Sequence, residues 1–374
     1  MFDILILILT SSYVAIILFL IRTFSDIPKV VSTAKPLVSV IVAARNEEAS
    51  LPELLSALQI QSYPNLEILI VDDRSTDLTA SKVSAAAAND PRIRLINIVD
   101  LSSDLSPKKN AITQAIRQSR GEIICLTDAD CLPSPEWVEG LVEYFEPRVG
   151  MVAGFSPYRM LKTAPLLSSQ FQRILVSFVQ YEEIITSFLA ASCSHAGFPW
   201  LCSGRNLAYR REVFEEVGGF SSNGHSVSGD DDLLLQTIRR KTEWKIVYAL
   251  NPQTFVSTSP PTTANDFLQQ RLRHFSDGKH YLLTVQAFLL WFHASNLAIL
   301  LYFALGFLGA ANLLFGSLAL GAKLLVDCYA LVTSSKRFEQ RLSLINFVPN
   351  EILYVLYNTL IGPMGFFERF TWKQ

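Results

Sequence analysis

The chain has 374 residues, with 32 Lys and Arg against 34 Asp and Glu and a net charge of −2. That balance gives no basic surface for nucleic acid, so nucleic acid is not expected as a partner. Half the residues are hydrophobic and the mean hydropathy is +0.28, with the apolar excess concentrated in the first twenty positions and after Leu282. The five cysteines form no C-x-x-C pair, which argues against a disulfide framework or a structural zinc site and fits a reducing compartment.

Residues 4–21 form a run of 18 with only Thr10, Ser11 and Ser12 as polar breaks. At helical rise this reaches roughly 27 Å, enough to span a bilayer core. The N-terminus carries Asp3 rather than a basic region, and no small-x-small site follows Leu20, so an uncleaved anchor over 1–22 is expected rather than a signal peptide. Arg22, Lys29 and Lys35 follow the run and place the next domain in the cytoplasm by the positive-inside tendency.

From residue 37 the pattern changes. Apolar runs at 37–43, 66–71, 93–98 and 123–126 read as buried strands, and helical patterns at 50–61, 78–88 and 108–119 separate them. Strands alternating with helices predict an α/β domain with a mainly parallel, doubly covered sheet. A helix over 135–145 and a strand over 151–155 follow. Residues 165–191 are apolar but carry Gln170, Gln172, Arg173, Gln180, Glu182 and Glu183, which predicts an amphipathic or interfacial helix. A helix at 212–217 ends at Gly218-Gly219, a strand follows at 246–250, and 267–279 is a basic helix. Residues 282–304 and 307–332 are each long enough to cross a bilayer. Lys336, Arg337 and Arg341 return the chain to the cytoplasmic side. Residues 344–367 are apolar but interrupted by Asn346, Pro349, Asn350, Glu351 and Asn358, leaving a re-entrant element or a third span. The expected organisation is an anchor at 1–22, a cytoplasmic domain at 36–280 and a membrane region at 282–374.

Several polar clusters interrupt these elements. The 123–126 strand stops at Asp128-Ala129-Asp130, two carboxylates at the carboxyl edge of a sheet, where open α/β sheets bind ligands. They are either turn residues or ligands to a hard cation, Mg2+ or Mn2+, with substrate phosphates completing the shell. Asp72-Asp73 likewise follow a strand. Asp230-Asp231-Asp232 stand at a helix start, where acids favour the helix dipole. The first strand-to-helix turn, Ala44-Arg45-Asn46-Glu47-Glu48, has no glycine, so it is not a dinucleotide fingerprint.

In order, Val40 to Glu48, Val71-Asp72-Asp73-Arg74-Ser75-Thr76-Asp77, Lys108-Lys109-Asn110-Ala111-Ile112, Thr127-Asp128-Ala129-Asp130 and Ser203-Gly204-Arg205-Asn206 before Gly218-Gly219-Phe220 resemble the motifs of family 2 glycosyltransferases of the GT-A fold. The resemblance covers about residues 37–280. It implies an inverting hexosyltransferase and assigns Asp72 and Asp73 to the nucleotide base, with Ala43, Arg45 and Glu47 against the base and ribose and Lys108 near the nucleotide. It makes Asp128 and Asp130 the holders of a divalent ion on the diphosphate. It places the general base at Asp230 or Asp231, with Asp232 as the second acid and Gly229 where the family has glutamate. Gln270-Arg271-Leu272-Arg273-His274 is similar to the Gln-x-x-Arg-Trp of processive synthases, with His274 replacing the tryptophan. Arg273 is expected at the diphosphate, or on anionic headgroups. His195, Trp200, Gly204 and Asn206 are expected around the acceptor.

The expected protein is a multi-pass, cytoplasmic-membrane enzyme that moves one sugar from a nucleotide-sugar, a UDP-sugar by expectation, to a hydroxyl of a lipophilic acceptor such as a lipid or a carotenoid. A processive polysaccharide synthase is the enzymatic alternative, and a non-catalytic membrane scaffold binding nucleotide-sugar or a partner the other.

Overall fold

A computed structural model describes residues 2–27, 32–100, 102, 104–159, 170–224, 226, 228–261, 263–341 and 343–365. Lys29, the start of the 165–191 segment and the end of the 344–367 segment lie outside the described residues. The chain divides into two compact units. One contains the described residues of Pro28–Thr163 and Gly197–Pro260, the other those of Met1–Ile27, Ala164–Ala196 and Pro261–Glu368. The continuous 36–280 domain read from the sequence is thus interrupted, with 170–196 and 261–280 in the second unit.

The first unit is built on a seven-stranded sheet. Its strands are β1 (Val38–Ala44), β2 (Leu66–Asp72), β3 (Ile93–Asn97), β4 (Ile123–Leu126), β6 (Val149–Gly154), β7 (Leu207–Arg210) and β8 (Lys245–Ala249), in the spatial order β3-β2-β1-β4-β7-β6-β8. A two-stranded sheet pairs β5 (Cys131–Pro133) with β9 (Val256–Thr258). β1 to β4 run parallel, and β1, β2 and β4 are almost wholly buried, as strands covered on both faces of a sheet are. β7 is antiparallel to both β4 and β6. The sequence hides β7 because it is four residues long and runs directly into the next helix. From β1 the chain moves outward to β2 and β3, then returns to the other side of β1 as β4. A crevice forms at the carboxyl ends of strands where the order reverses in this way, here above β1 and β4.

Helices α2 (Leu51–Gln59), α3 (Thr79–Asn89), α4 (Pro107–Gln118) and α5 (Trp137–Val142) follow the first strands, and α7 (Arg211–Glu216) and α8 (Asp232–Lys241) complete the unit. Proline stands in the first turn of α2 and α4, where its missing N–H has no helical partner to lose. The core joins Val40, Val42, Ile68, Ile70 and Cys125 of the sheet to Leu54, Leu58, Trp137 and Leu141. Side-chain hydrogen bonds join the two halves of the sheet. Asn206, just before β7, is fully buried. Its amide donates to the carbonyls of Phe155 (2.9 Å) and Thr254 (2.7 Å), and its oxygen accepts from the Trp137 indole (2.9 Å).

The second unit is helical: α1 (Phe2–Ser25), α6 (Gln170–His195), α9 (Ala264–Phe275), α10 (Leu283–Phe307), α11 (Leu313–Arg337) and α12 (Phe347–Gly365). Of these, α1, α6, α10 and α11 are long and apolar enough to cross a membrane. The α10–α11 break falls at 308–312, later than the sequence reading, because Gly309 adopts a left-handed backbone (φ +75°) and Asn312 caps α11 by accepting from the N–H groups of Leu314 and Phe315. α6 is buried at every position from Ser187 to Ser194. Its Glu182 forms a buried ion pair with Arg271 of α9. Lys323 of α11 pairs with Asp327 (2.6 Å) and with Glu351 of α12. Tyr13 of α1 donates to Asp327 (2.8 Å) and Tyr181 of α6 donates to Glu351. In a helical bundle that excludes water, such groups persist only when paired.

Asn206→Ala removes three buried hydrogen bonds, taking that partner from the Trp137 indole and the Thr254 carbonyl while the Phe155 carbonyl keeps the Val256 N–H. Each orphaned group costs about 1–3 kcal/mol, so the variant is expected to lose several kcal/mol of stability, read as a lower unfolding midpoint of the purified protein in detergent. An unchanged midpoint would sink the structural role given to this side chain.

Candidate active site

The crevice above β1, β2 and β4 is lined by three chain turns. The first two hold each other. Ala44 and Asp72 are register partners at the ends of β1 and β2, and the turns beyond them exchange hydrogen bonds. The N–H of Asn46 donates to Ser75 Oγ (3.0 Å), that of Glu47 to Thr79 Oγ1 (2.9 Å) and that of Glu48 to Asp77 Oδ2 (3.0 Å). In return Thr76 N–H donates to Asn46 Oδ1 (2.8 Å) and Leu78 N–H to Glu48 Oε2 (2.9 Å). Asn46 (φ 54°) and Arg74 (φ 59°) take the left-handed conformation these sharp turns need. Glycine is absent from both turns because this mutual bonding replaces it. Asp72 and Asp73 are held buried at the base of the clasp. Asp73 meets Arg74 Nε at 2.9 Å and Arg45 at 4.0 Å.

The third turn is Thr127 to Asp130, between β4 and β5. Cys131 N–H closes it on the Asp128 carbonyl (3.2 Å), so both acids stand at the sheet edge. Lys108, in the first turn of α4, places its ammonium 3.0 Å from Asp128 Oδ1 and 2.9 Å from Asp230 Oδ2. Burial works against the charged lysine, but Asp128, Asp230 and Asp231 outweigh it and hold the ammonium well above its ordinary pKa. Asp230 is buried, and that burial, with Asp231 nearby, raises its carboxyl above the usual range although Lys108 pulls it down. Asp231 is committed elsewhere. One oxygen accepts from the N–H of Gly204 (2.8 Å) and the other from that of Asp232 (2.8 Å), where it caps α8. Gly204 is glycine for a steric reason: a Cβ there would lie 3.1 Å from Asp230 Oδ2 and 3.4 Å from Lys108 Nζ.

The donor chemistry fits a hard divalent cation. Asp130 is exposed at the rim, yet the walls of the crevice and the carboxylates of Asp128 and Glu47 hold its carboxyl above its ordinary value, against the pull of Arg205. That mutual repulsion is what a cation relieves. Among the described residues no three acid, histidine or cysteine side chains converge as a closed metal cage. Two carboxylates plus substrate oxygens is the common way to hold magnesium at a nucleotide. Asp128 and Asp130 would hold such an ion.

Of the residues singled out in the sequence, the crevice brings together Arg45, Glu47, Asp72, Asp73, Lys108, Asp128, Asp130, Gly204, Asp230 and Asp231, with Ala43 near the end of β1 and Asp232 at the start of α8. Asn206 is not among them, since its side chain is fully spent inside the sheet. Trp200 is nearly buried, with an unpartnered indole N–H; its carbonyl is held by Gln236 of α8 (2.8 Å). His195, exposed at the end of α6, and Arg273, in the last turn of α9, belong to the helical unit. Arg205 was not expected at the site. It sits over the Tyr158 ring (5.5 Å) and faces Asp130, and only its place inside the Ser-Gly-Arg-Asn stretch hinted at this.

Comparison with known proteins places this geometry. The chain is 26% identical over 253 residues to a beta-monoglucosyldiacylglycerol synthase of Synechocystis sp., covering 65% of this chain and 48% of that one. It is 38% identical over 110 residues to an undecaprenyl-phosphate 4-deoxy-4-formamido-L-arabinose transferase of Pseudomonas aeruginosa, covering 29% and 32%. The chain spans less than half the length of the curated relatives it matches. Its fold is that of the mannosyltransferase PcManGT from Pyrobaculum calidifontis, with a TM-score of 0.59 and 22% identity over 90% of this chain and 99% of that one. This is the GT-A arrangement of a mainly parallel mixed sheet. Residues 39–218, from β1 through α7, match the family described as Glycosyl transferase family 2, and it is this domain that the chain shares with that family's members.

Proposed function

We propose that the protein is a membrane-embedded, inverting glycosyltransferase that moves one sugar from a nucleotide-sugar to a hydroxyl of a lipophilic acceptor. The observation that carries the reading is the Asp128–Lys108–Asp230 bridge. It joins a cation-holding pair of acids to a buried carboxylate whose pKa is raised, within one crevice of a glycosyltransferase fold.

In this reading the clasped turns bearing Arg45, Asp72 and Asp73 receive the base and ribose of the donor, a UDP-sugar in the expectation from the motif. Bound at Asp128 and Asp130, a magnesium or manganese ion would offset the charge that grows on the departing diphosphate. Lys108 and Arg205 present further positive charge to that diphosphate. Asp230 accepts the proton of the acceptor hydroxyl as its oxygen bonds to the anomeric carbon. The bond from that carbon to the diphosphate breaks on the opposite face, and the diphosphate leaves with the electron pair. Asp230 suits the base role better than Asp231, because both oxygens of Asp231 are occupied by backbone N–H groups. Asp230 lies beyond the residues matched to the family, so its assignment rests on the geometry.

Support for a lipophilic acceptor is of two kinds. Four helices are long and apolar enough to cross a membrane. The names of the Synechocystis and Pseudomonas relatives are those of enzymes acting on a glycerolipid and on undecaprenyl phosphate. For the metal, the Pyrobaculum enzyme of like fold was solved with GDP-mannose and Mn2+. We place the catalytic unit on the cytoplasmic side of the membrane, from Arg22, Lys35 and the basic residues at 336, 337 and 341.

Membranes containing the protein, incubated with radiolabelled UDP-sugars and GDP-mannose, are expected to form a lipid-extractable product bearing one sugar. A product that lengthens with time would instead mark a processive synthase, and no transfer or donor hydrolysis with any donor would mark a scaffold. EDTA is expected to abolish transfer, with Mn2+ or Mg2+ restoring it; turnover that survives chelation would remove Asp128 and Asp130 from the metal role. Asp230→Asn is expected to lower transfer roughly 10²–10⁴-fold with donor binding retained, and Asp231→Asn to lower it less. The reverse order of the two variants would move the base to Asp231.

A further inference from the structure

Lys109 stands next to Lys108 on α4, but its side chain takes a different direction and a different task. It is completely buried. Its ammonium donates to the carbonyls of Asn223 (2.7 Å) and Ser226 (3.0 Å). Both belong to the segment between α7 and α8, which ends in Asp230 and Asp231. The same segment is tied down at neighbouring points. The N–H of Ser106, just before α4, donates to the Gly224 carbonyl (2.8 Å). The Asn223 amide donates to the Gly229 carbonyl (3.2 Å), which directly precedes Asp230. Gly224 packs so closely on α4's approach that a Cβ would lie 2.2 Å from the Asp104 carbonyl.

The described side chains of the segment give it little hydrophobic anchoring. Ser221 and Ser222 are exposed and Asn223 and Ser226 half-buried, and the backbone is glycine-rich, with left-handed conformations at Gly218, Gly219 and Gly229. A chain of this kind orders poorly unless its backbone carbonyls find donors. A buried ammonium must in turn be met by several oxygens, and these carbonyls meet it. The pairing is therefore stable from both sides.

We propose that Lys109 is a positioning residue that fixes the 221–231 segment, and with it Asp230, against α4. The consequence is geometric. α4 carries Lys108, which reaches the metal-holding Asp128, and one residue later Lys109, which holds the backbone leading to the base. Donor side and acceptor side are thereby set by adjacent positions of one helical turn. A side chain that only filled space would hold the segment no better than a methionine of similar length.

The test uses the full chain in detergent and compares wild type with Lys109→Met, which keeps length and removes the donors, and with Lys109→Gln, which keeps one donor group. Amide hydrogen exchange across 221–231 is expected to speed up roughly tenfold or more in K109M, and less in K109Q, while β1 to β4 keep their protection, since local opening is read separately from global stability. This measurement does not depend on the glycosyltransferase reading. The kinetic arm does rest on that reading: K109M is expected to lower kcat by roughly tenfold to a hundredfold with the donor KM within about twofold. Unchanged exchange at 221–231 in both variants would overturn the proposal. So would a raised donor KM with kcat intact. Absence of transfer in the wild type would defeat the functional reading while leaving the exchange result to decide the role of Lys109. If K109M does not accumulate as folded protein, K109Q carries both comparisons.

Discussion

The Lys108 ammonium, 3.0 Å from Asp128 and 2.9 Å from Asp230, is the interaction on which the crevice depends. Asp128 ends β4, beside the parallel half of the sheet. Asp230 ends the long excursion that follows β7, in the antiparallel half. With Asp230, Asp231 and Asp232 in succession and Asp128 and Asp130 opposite, the crevice would carry an uncompensated negative charge without the lysine. Attraction between unit charges at this separation is several kcal/mol in a partly shielded site, by order of magnitude. Lys108 is therefore both a structural link and the positive pole of the site.

The rest of the first unit places that link. The switch in strand order between β1 and β4 opens the crevice, and the crossed hydrogen bonds of the 44–48 and 72–79 turns stiffen its nucleotide side without glycine. Asn206 performs the equivalent task below, joining the start of β7 to the end of β6, the Thr254 turn and Trp137 of α5. Its neighbour Gly204 stays bare so that Asp230 and Lys108 can come close. Two residues apart in one strand approach, one position is fixed by buried hydrogen bonding and the other by lack of room.

Much of this was legible in the sequence because it depends on local pattern. The apolar runs of β1 to β4 reveal a parallel sheet, and acids directly after such runs fall at its carboxyl edge by construction. Neither β7 nor β5 was legible, since strands of three or four residues carry no periodic signal. The motif around Asn206 was visible but its meaning was not: an asparagine beside a glycine looks like a ligand contact, and only burial shows it to be a bracket in the core. The division of the chain was also hidden. α6 leaves the first unit and joins the helical one, and its polar residues read as the polar side of an amphipathic or interfacial helix, while Glu182 is paired with Arg271 within the bundle. Pairing over 89 residues leaves no local trace.

The proposed preference for Asp230 over Asp231 rests on surroundings that a run of identical residues does not reveal. Both are carboxylates at a helix start, and the sequence supports either as a base. A base needs a free oxygen that can take up a proton and a reason to hold it. Asp231 has spent its two oxygens on the backbone N–H groups of Gly204 and Asp232, bonds that fix the carboxylate in place. Asp230 faces Lys108 from a buried position that disfavours its charge. A charged donor phosphate entering beside Lys108 competes with Asp230 for the same ammonium. As that pairing weakens, burial acts on Asp230 with less opposition and its affinity for a proton rises. In the proposed reaction the arrangement would link arrival of the donor to the strength of the base, through one lysine shared between them.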